Sequence, residues 1–184
     1  MNIIDIIGKI MVAMDEVETS SLLANSADYI NKIYPLIDSI QTEIATTVKP
    51  IKKYITLDSV NKKIEEPADC YEFLKVYDTD MSPINFLHFN KTIHLIDEDE
   101  DGTFTLYYNK YPLSIDKDTP NNYQLEIDKE CQEALVYGVA AGLCINDEPE
   151  LYQDYAARYK EMLTNILANI QNKPVARLVG GLRI

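Results

Sequence analysis

The period of the hydrophobic residues changes twice along this chain, and that limits the folds open to it. Residues 2–14 carry Ile3, Ile4, Ile7, Ile10, Met11 and Met14 at the three- and four-residue spacings of a helix. A longer helical pattern covers about 26–48, with Ile30, Ile33, Tyr34, Ile37, Ile40, Ile44 and Val48 on one face. Pro35 lies inside it and predicts a kink or break, and Pro50 ends it. After Lys53 the pattern shortens to near alternation. Tyr54–Leu57, Phe73–Tyr77, Phe86–Phe89, Ile93–Ile96 and Thr103–Tyr108 are short and rich in β-branched and aromatic residues. Asn90-Lys91 and Asp101-Gly102 carry hairpin-turn chemistry, the second more strongly.

Residues 112–127 form a polar connector, and helical spacing then returns over Asp128–Ile145. Asn146-Asp147 punctuates it. Pro149 opens a last helix at its first turn, with Leu151, Tyr152, Tyr155, Tyr159, Met162, Leu163, Ile166, Leu167 and Ile170 on one face and Pro174 as its stop. Asp15–Ser21, acidic and rich in Ser and Thr, is expected to be a loop. The expected fold is α+β and mainly helical, within one domain spanning 1–184. N-terminal helices occupy 1–52, a small antiparallel β module is inserted over 53–112, a C-terminal helical hairpin covers 128–172, and an extended tail covers 173–184.

Charge narrows the function. The chain has 17 basic and 30 acidic residues, a net charge of −13. Binding nucleic acid through a generally basic surface is therefore disfavoured. An acidic protein can still stand beside DNA that must slide past without sticking. The three cysteines, Cys70, Cys131 and Cys144, lack CxxC spacing and are odd in number, which favours small buried side chains in a reducing compartment. The N-terminal apolar stretch is broken by Asp5 and lacks a small-residue cleavage site, and Ala134–Ile145 is too short to span a bilayer. A soluble product is expected.

No motif points to catalysis. Phosphate-loop, dinucleotide-loop and nucleophile-elbow patterns are absent from the sequence. Asp97, Asp99, Asp101 and Gly102 match the start of a calcium loop, but the twelfth position is Tyr108 where a bidentate Glu is needed. An acidic hairpin tip is the better reading. His88 and His94 could approach each other on neighbouring strands but have no evident third ligand. No enzyme, cofactor or metal is expected.

Two features suggest contacts with partners. Ala134, Gly138, Ala141, Gly142 and Ile145 recur at three and four, making a shallow helix face that another element can approach closely. Tyr152, Tyr155 and Tyr159 form a helical stripe, and tyrosine is enriched at interfaces. Both patterns fit packing inside one subunit as well as between subunits. After Glu161 the chain has no acidic residue, while Lys173, Arg177 and Arg183 are basic and Val175, Leu178, Val179, Leu182 and Ile184 apolar. Such a tail suits docking into an acidic, apolar groove better than fraying, because disordered tails are seldom so apolar.

The ordered set of stretches ADYINKIYPLIDSIQTEIATTVKPIKKY, EFLKVYD, DGTFTLYYNKYP and ECQEALVYGVAAGLCINDEPELYQDYAARYKEML resembles the head–tail connector (adaptor) proteins of tailed bacteriophages. Members pair an opening helical region with a closing helical hairpin, and longer ones insert a small β module. The resemblance implies a non-enzymatic virion protein of the neck, between capsid and tail, assembled in the host cytoplasm. It implies a homo-oligomeric ring, usually of twelve copies, that binds the portal protein, receives a tail or stopper protein, and extends the channel through which DNA passes without sequence-specific binding. The hairpin would form the ring body. Arg177, Leu178, Val179, Leu182, Arg183 and Ile184 would dock on the portal or a neighbouring subunit. Other readings are a tail-completion or other neck protein and, from a different class, a small soluble regulatory binding module.

Overall fold

A computed structural model describes residues 1–14, 27–96, 101–146 and 148–172. Four helices occupy these residues: α1 (Ile3–Ala13), α2 (Ala27–Thr47), α3 (Lys129–Cys144) and α4 (Pro149–Asn172). Between α2 and α3 lie seven strands: β1 (Ile51–Asp58), β2 (Lys63–Glu65), β3 (Cys70–Tyr77), β4 (Pro83–Ile84), β5 (Phe86–Phe89), β6 (Thr92–Leu95) and β7 (Thr103–Lys110).

Helix α1 starts with a reciprocal cap. The Asn2 side chain accepts from Asp5 N–H while the Asp5 carboxylate accepts from Asn2 N–H, so two donors at the helix start are satisfied. Helix α2 runs through Pro35 without interruption, so the break expected there is absent. Ile33, Tyr34, Ile37, Ile40 and Ile44 are buried along its face, and that tertiary burial outweighs one lost backbone hydrogen bond. Pro35 itself is exposed. Replacing it with alanine should therefore restore the bond and raise stability by about 1–2 kcal/mol, less than the full helix-propensity difference because proline also restricts the unfolded chain. Thermal unfolding of Pro35→Ala checks this.

Helix α3 is the centre of the helical body. Eleven of its sixteen residues are buried, so it is apolar nearly all round, as a helix surrounded by other elements must be. Helices α1, α2 and α4 pack around it. Their shared core includes Ile3, Ile6, Ile10, Ile37, Ile44, Leu135, Val139 and Ile166. The connector after β7 is polar in sequence but tied down. Gln41 donates to the Leu113 carbonyl at 2.8 Å, Ile115 N–H donates to Asp38 at 2.7 Å, and Ile115, Leu125 and Ile127 enter the helical core.

The expectation of a mainly helical chain with a small β module is wrong. Residues 51–110 form two antiparallel sheets, ordered β1-β7-β3-β4 and β2-β6-β5, around a second hydrophobic core of Ile64, Cys70, Val76, Ile93, Leu95, Phe104, Leu106 and Tyr108. The fold is mixed α+β. The β part is larger than its local patterns suggest for two reasons. Strands β1, β3 and β7 extend into flanking residues such as Ile51-Lys52-Lys53 and Asn109-Lys110, which lack strand signals of their own. The three-residue β2 and two-residue β4 exist because a partner strand supplies hydrogen bonds, a tertiary effect without a local pattern.

Asn90-Lys91 turns β5 into β6 with both φ values positive, as the tight hairpin turn requires. Asp101-Gly102 does not make the expected hairpin. Strand β6 pairs with β2 and β5, whereas β7 pairs with β1 and β3, so the chain crosses from one sheet to the other there.

Candidate interaction surfaces

The glycines of α3 face their own chain. A Cβ on Gly138 would stand 3.1 and 3.2 Å from Ile40 of α2 and 3.2 Å from the Tyr159 ring of α4. A Cβ on Gly142 would stand 2.8 Å from a Leu36 methyl carbon. Ala134 and Ala141 are buried with them. The glycines thus permit a close three-helix approach that offsets the roughly 1 kcal/mol each loses in helix propensity. The shallow face foreseen as a possible contact between subunits is filled from within at Gly138 and Gly142, while Ile145 at its end is exposed.

The tyrosine stripe of α4 is also turned inward. Tyr155 is buried and its hydroxyl donates to the Ala13 carbonyl at 2.7 Å, closing the end of α1. Tyr159 packs on the helical core beside Gly138, where burial first, and then the nearby Glu43 charge, push its phenol well above the ordinary range. Tyr152 is half-buried beside Ala140, Ala141, Cys144 and Tyr155. The tail candidates Arg177, Leu178, Val179, Leu182, Arg183 and Ile184 lie outside the described residues, as do Asp15–Ser21 and Asp97–Glu100.

The three cysteines are buried. Burial first pushes the thiols of Cys70 and Cys131 up to about 11, so neither is poised as a thiolate. The two histidines do not converge. The register pairs His88 with Ile93 and His94 with Leu87, placing the two imidazoles on opposite faces of the β5–β6 hairpin. His88 bonds Glu66 at 2.8 Å and meets Phe73 edge-on, while His94 stacks on Phe89 at 4.1 Å.

Asp101 has a structural occupation. Its carboxylate accepts from Lys62 N–H at 2.6 Å, Asn61 N–H at 2.9 Å and the Ser59 hydroxyl at 3.2 Å. Asn61 and Lys62 both have positive φ, and their turn leads from β1 into β2. The N–H bonds from Lys62 and Asn61 hold the Asp101 carboxyl below its ordinary pKa. Three donors crowd an oxygen pair that a calcium loop would aim at the ion. Asp101→Ala should leave the helices intact while exposing the Asn61 and Lys62 amides to faster hydrogen exchange. Unchanged protection at those two amides would contradict this role.

An open groove of about 870 Å³ lies over α3, between α1 and α4. Met1, Val12, Ala13, Val136, Tyr137 and Met162 line it, with Asp5, Lys9 and Glu133 among its polar residues. Nothing lies within 4 Å of where a Gly8 Cβ would be. Val12 is 72% exposed there. The groove's lining is mainly apolar. Sequence reasoning missed it because α1 was read only as an amphipathic helix.

The outer face of the β1-β7-β3 sheet is the second surface. Lys52, Tyr54 and Thr56 alternate outward on β1. The register sets Tyr54 opposite Tyr107 and Thr56 opposite Thr105, with Lys75 and Tyr77 beside them on β3. The Tyr54 and Tyr107 rings stack at 4.4 Å and 14°. Lys52 Nζ lies 5.9 Å from the Tyr107 ring centre, and the Thr56 and Thr105 hydroxyls are 3.3 Å apart.

No protein-family model matches the chain, and no curated protein matches it. Among the described residues no helix is long and apolar enough to cross a membrane.

Proposed function

We propose that this protein is a structural connector of a phage neck, a homo-oligomeric ring that binds the portal and extends the DNA channel toward the tail. The observation that carries the reading is the closing hairpin. The longest stretch of the resemblance, residues 130–163, folds as α3 and α4, joined across Glu148-Pro149 and packed through Gly138 on Tyr159. The order of helices, β module and helical hairpin supports the same reading. A net charge of −13 suits a wall along which DNA slides without sticking. The basic, apolar residues 173–184 are the candidate portal contact, and the groove beside α1 is a candidate receiving surface for a partner.

Mixing the full-length protein with its cognate portal and imaging the product by electron microscopy tests the proposal. A ring coaxial with the portal is the expected result. Density only at the distal end of the tail would favour a tail-completion role. No association under assembly conditions would overturn the connector reading.

A further inference from the structure

Strand β1 is one edge of its sheet, and its eight residues make that edge long. Edges of this length are usually blunted by a proline, a bulge or charge. β1 contains no proline and runs beside β7 in unbroken register, whereas β3, on the other side of β7, is shifted twice. Of its two lysines, Lys53 is drawn to Asp69 at 2.8 Å. We infer that β1 is the surface through which two copies of this chain pair, edge to edge about a two-fold axis, joining their sheets into one. The inference goes beyond the connector reading and does not depend on it.

The phase of the backbone opens this edge. Ser59 N–H donates to the Gly102 carbonyl at 2.8 Å, continuing the β1–β7 register by one residue. Hydrogen-bonded residues alternate along an antiparallel ladder. Lys53, Ile55 and Leu57 therefore bond β7, while Lys52, Tyr54, Thr56 and Asp58 aim their N–H and C=O groups away from it. Among the described residues β1 pairs with no other strand.

The residues of the edge select its own copy. Antiparallel pairing centred on Ile55 sets Lys52 opposite Asp58 of the second copy and Tyr54 opposite its Thr56, and the two-fold axis repeats both pairs. All four positions lie on the exposed face of the strand, so the faces of the joined sheets stay continuous. Lys52 has no ion-pair partner among the described residues. The Asp58 carboxylate accepts from the neutral Thr103 hydroxyl through Oδ1 and keeps its charge. Opposite charges facing across strands are stabilising. Centring the pair on Tyr54 would set Asp58 opposite Pro50, and centring it on Thr56 would set Lys52 opposite Val60, so both neighbouring registers lose the charge pairs. A strand of unrelated sequence would match the backbone groups but neither charge. Repulsion between two chains of net charge −13 is damped beyond about 8 Å at physiological ionic strength, so the groups in contact decide.

The test uses the full-length chain alone. Sedimentation should show a dimer that forms with rising concentration. Over the same series the amides of Tyr54, Thr56 and Asp58 should gain protection from hydrogen exchange, while those of Ile55 and Leu57 are protected throughout. Lys52→Asp or Asp58→Lys should each weaken pairing about tenfold, since each sets like charges opposite one another twice. The two substitutions together should restore it, and circular dichroism melting checks that all three variants fold. A monomer throughout the series, edge amides whose protection ignores concentration, or a double variant no better than the single ones would overturn the inference. None of these outcomes bears on portal binding, so the connector reading stands or falls separately.

Discussion

Valine at position 138 should destabilise the protein by about 3 kcal/mol, while alanine at position 142 should change stability little. Both sites are glycines on one face of α3, and both would gain helix propensity from a side chain. The difference lies in what the new atoms meet. At Gly138, even a single Cβ is clamped between branched Ile40, buried in the core, and the Tyr159 ring, at 3.1–3.2 Å on both sides. Valine adds two more carbons with a stiff χ1, and over-packing of this kind typically costs about 1–3 kcal/mol, occasionally more. At Gly142 the close atoms are the terminal carbons of half-buried Leu36, which can rotate away. Chemical denaturation of the two variants measures the contrast. Equal effects would mean that the helices are not held at this separation by Gly138.

Asp69→Ala should cost about 2 kcal/mol and weaken the acid sensitivity of the β module. Asp69 Oδ1 accepts from the hydroxyl of Tyr108, a fully buried ring, at 2.9 Å, and Oδ2 pairs with Lys53 at 2.8 Å. Removing the carboxylate strands a phenol hydroxyl deep in the sheet, a loss of about 1–3 kcal/mol. The partly exposed Lys53 pair adds at most about 1 kcal/mol. Tyr108→Phe should make a following Asp69→Ala much milder, which a double-mutant cycle would reveal.

The sign of the pH effect follows from the same bonds. Burial alone would raise the Asp69 carboxyl, but hydrogen bonds from Lys53 and Tyr108 outweigh it and hold it below its ordinary 3.8. Asp101 is also held below 3.8. A carboxyl with a depressed folded-state pKa contributes stability that is fully present above its unfolded value and lost as pH falls through the folded one. Unfolding free energy should therefore decline below about pH 4, and less steeply in Asp69→Ala. An unchanged acid slope in that variant would contradict the assignment.

How much of this was written in local sequence differs from element to element. Helix α1 and the α3–α4 hairpin were legible because a buried helical face repeats every three or four residues. The Asn90-Lys91 turn was legible from its residue types. Asp101-Gly102 has the stronger turn chemistry, yet Asp101 is drawn to the Ser59–Lys62 turn, about forty residues back in the chain. No local pattern records such a partner.

The candidate interfaces divide in the same way. Periodicity alone was enough to find the glycines and tyrosines of α3 and α4. It was silent on whether they meet their own chain or another. That was decided when Ile40, Leu36, Ala13 and Tyr159 came together around α3. The Tyr54–Tyr107 stack joins strands 53 positions apart in sequence, and only antiparallel pairing of β1 with β7 creates it. The sequence by itself determined the order of helical and extended segments, the acidic balance and the basic, apolar C-terminal stretch, because each depends on nearest neighbours or simple sums. Tertiary structure decided the size of the β part, the inward use of the small-residue face and the outward row of tyrosines, because each depends on which distant surface a side chain meets.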